Sequence, residues 1–183
     1  ESGTLKSSGS PTISGTMTQY NNAAIKVSAA QTLIYTGPSL SLGASTPSLS
    51  GGGAFANTMP LVLDNANSKL LLSSITVENV STSVDNSLGV EVENDSAINN
   101  FSVTNITPVS IATGKTLSGG IGVTAGSIKL TDTGTLASTV EMSDGTTLDA
   151  DNSLTVSGAL TQSGDITIDV LDNQTLNYTG PPI

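Results

Sequence analysis

The chain repeats itself. Gln31-Thr-Leu-Ile-Tyr-Thr-Gly-Pro38 returns as Gln174-Thr-Leu-Asn-Tyr-Thr-Gly-Pro181, 143 residues later. The match runs backwards without a gap: residues 1–40 laid on 144–183 agree at 17 positions, among them Leu5/Leu148, Ser14-Gly15/Ser157-Gly158, Ile25/Ile168 and Val27/Val170. Self-similarity at a fixed period requires each repeat to be a unit that stacks on, or follows, its neighbour. The 183 residues therefore read as one unit plus the opening of the next. The repeat-defining residues are Gln31, Tyr35, Gly37 and Pro38 with Gln174, Tyr178, Gly180 and Pro181. Thr-Gly-Pro is turn chemistry, and the tyrosine is expected to pack at a coil or unit boundary.

Within the unit the apolar residues fall in short alternating runs, which is the strand period. Examples are Ala24-Ile-Lys-Val27, Leu61-Val-Leu63, Val90-Glu-Val92, Ile128-Lys-Leu130 and Ile166-Thr-Ile168-Asp-Val170. No segment holds an i, i+3, i+4, i+7 pattern long enough for a helix. Residues 1–36 are read as the first strands, repeated by 144–179. Residues 37–60, with Pro38, Pro47, Gly51-Gly-Gly53 and Pro60, are expected to form a loop or lateral excursion. Strands resume over 61–183, where 144–183 repeats 1–40. A smaller beat runs inside: Leu117 to Leu136 is 19 residues and Leu154 to Leu176 is 22.

A beat near twenty suits one coil of a parallel β-helix, an all-β solenoid of short strands. One coil cannot bury its own Leu, Ile and Val, but stacked coils bury a continuous column and pair each other's backbones. The 143-residue unit then spans about seven coils. The alternative is a string of antiparallel, immunoglobulin-like β-sandwiches, whose strands recur every 8–12 residues or so. The phrasing Gly-x-Thr-Leu and Asn152-Ser-Leu-Thr-Val-Ser-Gly158 resembles the passenger regions of autotransporters and filamentous-haemagglutinin-type surface proteins. That resemblance is one of repeat style over most of residues 61–180. It implies a right-handed parallel β-helix displayed outside a cell, and carries over no catalytic or binding residue.

Composition narrows the chemistry. The formal net charge is −10, from fifteen acids and five Lys or Arg residues, all five of them lysine. Nucleic acid is bound by clustered Lys and Arg, so it is excluded as a partner, as is an anionic membrane surface. No apolar run reaches the roughly 18 residues of a membrane span, so no insertion is expected. The chain opens at Glu1 with neither a basic nor an apolar leader, and reads as a mature chain or a piece of a longer one. Cysteine and histidine are absent, which removes disulfides, thiolate sites and most acid–base catalysis. Gly114-Lys-Thr116 lacks the earlier glycine of a phosphate loop, and Gly120-x-Gly122-x-x-Ala125 has no helix after it. No cofactor is implied.

Two groups of residues are candidates for sites. Asp144, Asp149 and Asp151, followed by Asp165, Asp169 and Asp172, could offer oxygen ligands to calcium. Their counterparts in the first copy include Lys6 for Asp149 and Lys26 for Asp169. A site essential to the unit would not reverse its charge, so a solvated face is the simpler reading. The same exchange could let neighbouring units pair. Six Asn-x-Ser/Thr sequons, at Asn79, Asn94, Asn100, Asn105, Asn173 and Asn177, could accept glycans. The function expected is a non-enzymatic, extracellular or cell-surface structural unit whose partner is itself, in tandem or end to end. An adhesin stalk contacting surface glycans is the alternative, and a glycan-degrading β-helix a minor one.

Overall fold

The computed structural model describes residues 3–18 and 22–182. Among them there is no helix, and the chain winds as a β-solenoid of about nine turns with coils of about 20 residues. Two parallel sheets run the length of the molecule, one of nine strands and one of thirteen. The larger sheet forks. Its long strands Thr76–Thr82, Ser96–Val103 and Thr116–Val123 pair through their first halves with one line of neighbours and through their second halves with another. Each inner coil thus visits three faces in turn, here called A (the nine-stranded sheet), B and C.

The pairing excludes the sandwich. Every ladder between strands is parallel, from Thr4–Ser7 on Ala24–Val27 to Leu154–Val156 on Leu176–Tyr178. The one antiparallel contact recorded among the described residues is an isolated bridge between Ser28 and Gly52. Parallel strands joined in sequence need a long return path. Here the other two faces provide it.

Sequence alternation sets which side chains point inward. Along face A, Ile128, Leu148 and Ile168 share one ladder column, with Lys129, Asp149 and Asp169 beside them on the outside. Along face B, Leu33, Phe55, Val77 and Ile98 follow one another in register. Along face C the column is Leu40, Leu61, Val80, Phe101, Ile121, Val140 and Leu160. These columns merge into one continuous apolar core. Tyr35 and Phe55 are both fully buried, and their rings stack in it with centroids 6.2 Å apart. The buried polar groups sit at corners, as Ser68 and Asn86 do, or at strand ends, as Thr107 does, and no buried side-chain N or O among the described residues lacks a hydrogen-bond partner. That matches the rule that polar groups enter cores only when paired.

Residues 37–60 do not form the expected loop or excursion. They carry Leu40–Ser41 on face C, Ser48–Ser50 on face A and Ala54–Asn57 on face B. The difference has a local cause. The Gly and Pro residues concentrate at corners, where Gly43, Gly51 and Gly52 have positive φ, and the strands between are too short to display alternation. The extra length lies in the corners: Ile25 to Leu49 on face A takes 24 residues, against 20 from Leu148 to Ile168.

Candidate functional site: the repeated end coils

The 143-residue echo corresponds to seven whole coils. Thr4–Ser7 and Thr147–Ala150 are equivalent strands of face A, as are Ala24–Val27 and Thr167–Val170. On face B, Thr32–Tyr35 is answered by Leu176–Tyr178. Coils 1 and 2 are therefore repeated, on faces A and B, by coils 8 and 9.

The geometry explains which residues recur. The Met17 N–H donates to Tyr35 Oη at 3.2 Å, and the Leu160 N–H donates to Tyr178 Oη at 3.3 Å. A Cβ on Gly37 would lie 2.4 Å from the Gly15 carbonyl oxygen and 2.6 Å from Tyr35 Oη. One on Gly180 would lie 2.2 Å from the Gly158 oxygen and 2.7 Å from Tyr178 Oη. Glycine is required at both because the tyrosine ring and the coil below leave no room. The Tyr178 hydroxyl also donates to the Pro181 carbonyl, and Pro38 and Pro181 end exposed turns. Gln31 and Gln174 play one part: their Oε1 atoms accept from Ser10 Oγ at 3.3 Å and Ser153 Oγ at 3.0 Å in the coil below. The glutamines, tyrosines and glycines of the repeat thus meet the neighbouring coil, while the two prolines lie at exposed turns.

One equivalence is imperfect. Ala30 and Asn173 both turn through the left-handed region, with φ of 57° and 63°. That conformation costs an ordinary L-residue about 1–2 kcal/mol, whereas asparagine visits it readily. Ala30→Asn is expected to raise unfolding stability by about 0.5–1 kcal/mol, measured by urea denaturation. No gain would mean that the turn is not strained in solution.

The equivalent coils differ in what covers them. Ile25 is 7 % exposed beneath coil 3, while its counterpart Ile168 in coil 9 is 43 % exposed. Leu148 is 1 % exposed between coils 7 and 9, while its counterpart Leu5 in coil 1 is 37 % exposed. Leu176 and Tyr178 are half-buried where Leu33 and Tyr35 are fully buried. Each end thus presents a surface whose sequence twin lies inside the molecule.

The aspartates do not converge. Asp149 and Asp151 hold Lys129, with Nζ–Oδ2 distances of 3.4 Å and 3.0 Å, and the bond to Asp151 does most to raise the lysine above its ordinary 10.5. Asp144 accepts from the Asp165 N–H at 2.8 Å, one coil on. No group of three acidic, His or Cys side chains that could hold a metal ion occurs among the described residues. Of the sequon asparagines, Asn100, Asn173 and Asn177 are exposed, and Asn105 is half-buried. Asn79 donates its amide to the Asn57 carbonyl, and Asn94 donates to Ser73 Oγ at 2.8 Å. Gly120 and Gly122 lie in and beside strand pairings, with no helix after them.

A structural device hidden in the sequence lies where face B turns into face C. Asn57 Nδ2 donates to the Asn79 carbonyl, Asn79 returns the bond, and Asn79 pairs in register with Asn100. Each asparagine alone reads as a turn residue; their spacing of 22 and 21 residues, one coil, is the signal that marks a ladder. A shallow groove of about 500 Å³ runs along faces of the middle coils, past Gly52, Ser74, Thr76, Asp95 and Thr116. Among the described residues, no helix is long and apolar enough to cross a membrane. Comparisons with protein-family models, with curated proteins and with solved structures return no match.

Proposed function

We propose that the chain is a non-enzymatic structural protein of the cell exterior, a β-solenoid unit that lengthens by tandem repetition or end-to-end association into a fibre, sheath or surface layer. The observation that carries this reading is that the repeat equals a whole number of coils. A repeat of seven coils re-enters faces A and B in phase, so units can follow one another without breaking those ladders or misaligning the core. Fractional repeats would force a register slip, which turns apolar side chains outward. The likeness in repeat style to autotransporter and filamentous-haemagglutinin passengers supports the exterior placement, and the absence of His and Arg supports a non-catalytic role.

Electron microscopy of the native material tests it. Continuous particles with a reflection near 4.8 Å along their axis are expected. An axial period of roughly 34 Å marks repeats of seven coils, and roughly 43 Å marks stacked nine-coil chains, at about 4.8 Å per coil. Isolated particles that stay monomeric at high concentration would overturn the assembling role.

A further inference from the structure

We propose that face C carries a binding site for a neutral oligosaccharide, a hollow over Gly122 in which the Glu141 carboxylate accepts from a pair of sugar hydroxyls. The hollow lies in coils 5–7, with coil 4 below it and coil 8 above. It goes beyond the structural role and does not depend on it. Three observations carry it.

The first is a glycine that the fold does not need. The strand Thr116–Val123 holds three glycines. Gly119 has a φ of +109°, and a Cβ on Gly120 would lie 2.8 Å from the Asn99 carbonyl oxygen. Both sit at the irregular step that faces Ile98 to Phe101. Gly122 is different. It pairs in regular register with Ser102 on one side and Glu141 on the other, and a Cβ there would meet nothing within 4 Å. Nor does it have the positive φ that favours glycine. Glycine weakens a strand interior, and where no bulge or bend requires it, it marks close approach by a ligand or another backbone.

The second is the hollow that this glycine opens. About 370 Å³ lies over Gly122, walled by Ser102, Thr124, Thr139 and Glu141. That falls within the roughly 300–1,000 Å³ of small-molecule sites. It crosses two coil steps, about 10 Å along the axis, which fits a short oligosaccharide. The larger groove past Asp95 has a different origin. There Gly52 has a φ of +80°, and a Cβ on Gly53 would lie 2.4 Å from the Ser28 carbonyl oxygen, so the fold itself demands both glycines. Its carboxylate is also engaged, since Asp95 Oδ1 accepts from the Thr116 N–H at 2.9 Å.

The third is the chemistry of the walls. Ser102, Thr124, Thr139 and Glu141 are all exposed. Among the described residues, the side chains of Ser102, Thr139 and Glu141 have no hydrogen bond or ion pair with another group. Hydroxyls both donate and accept, and a carboxylate presents two acceptor oxygens, a pattern that matches the neighbouring hydroxyls of a sugar ring. No lysine lines the hollow, and the chain's net charge is −10, so anions are repelled. No group of side chains that could hold a metal ion occurs among the described residues. Thr116–Val123 is paired along both sides, which leaves no edge for a peptide to extend. An uncharged ligand rich in hydroxyls is what fits.

Titration of the whole chain with cellotetraose, maltotetraose and chitotetraose, followed by amide NMR shifts, tests the site. At least one of the three is expected to move the signals of Ser102, Gly122 and Glu141 in a saturable way. Gly122→Thr fills the hollow with a residue that favours strands. It should weaken binding at least about tenfold while the melting temperature stays the same or rises. Glu141→Gln keeps the shape, removes the charge and should weaken binding about three- to tenfold. No saturable shift with any of the three, or shifts indifferent to both substitutions, would overturn the site. A Gly122→Thr variant that melts lower would show that the fold needs the glycine, and would overturn it too. Tighter binding of the anionic tetragalacturonate would overturn the neutral class of ligand.

Discussion

Phe55→Ala is expected to cost about 3–5 kcal/mol of stability, the usual range for removing a buried ring. Phe55 is fully buried, sits in register between Leu33 and Val77, and stacks on Tyr35. In a solenoid the core is a column, so an inward side chain touches mainly the coils above and below. A cavity there faces backbones tied into ladders, which cannot collapse onto it. Urea denaturation measures the loss, and hydrogen exchange should place it in coils 2–4 and spare coils 7–9. Phe55→Leu, which keeps much of the volume, should cost less than about 1.5 kcal/mol. An alanine variant within about 1 kcal/mol of the parent would show that the column relaxes more than its ladders allow.

The second large effect is at Gly89, where the chain starts a strand of face A. Its φ is +62°, and a Cβ there would lie 1.8 Å from the Pro108 carbonyl oxygen of the next coil. Gly89→Ala combines the left-handed penalty of about 1–2 kcal/mol with the displacement of a paired backbone, and is expected to cost about 2–5 kcal/mol in all. Gly114 provides the control: φ is +71°, but nothing lies within 4 Å of its Cβ position. Gly114→Ala should lose only the left-handed penalty, about 1–2 kcal/mol. Equal losses at the two sites would mean that the spacing between coils adapts to a methyl group.

Much of this architecture was legible because a solenoid writes its geometry into sequence spacing. The 19 residues from Leu117 to Leu136 and the 22 from Leu154 to Leu176 are both true ladder steps on face B. The long echo is seven such steps. What stayed hidden was the division into three faces, since Leu148 belongs to face A, while on face B Leu136 pairs with Val156 and Leu154 with Leu176. Strands of two to four residues cannot announce which face they join; only their partners one coil away decide it. The same limit made residues 37–60 look like a loop, because corner glycines outweigh the brief Leu40–Ser41 and Ser48–Ser50 strands. The exchange of Lys6 for Asp149 and Lys26 for Asp169 was visible in the aligned copies. The register places each like pair in a single column of face A.

The winding has a mechanical corollary. A coil stores about 20 residues yet advances the axis by only about 4.8 Å. Pulled out straight, the same residues reach roughly 70 Å at about 3.5 Å each. Tension along the axis must therefore peel the structure one coil at a time from an open end, each release lengthening the strand some fifteenfold over the height it gives up. A solenoid wound this way yields in steps under axial load, one coil at a time.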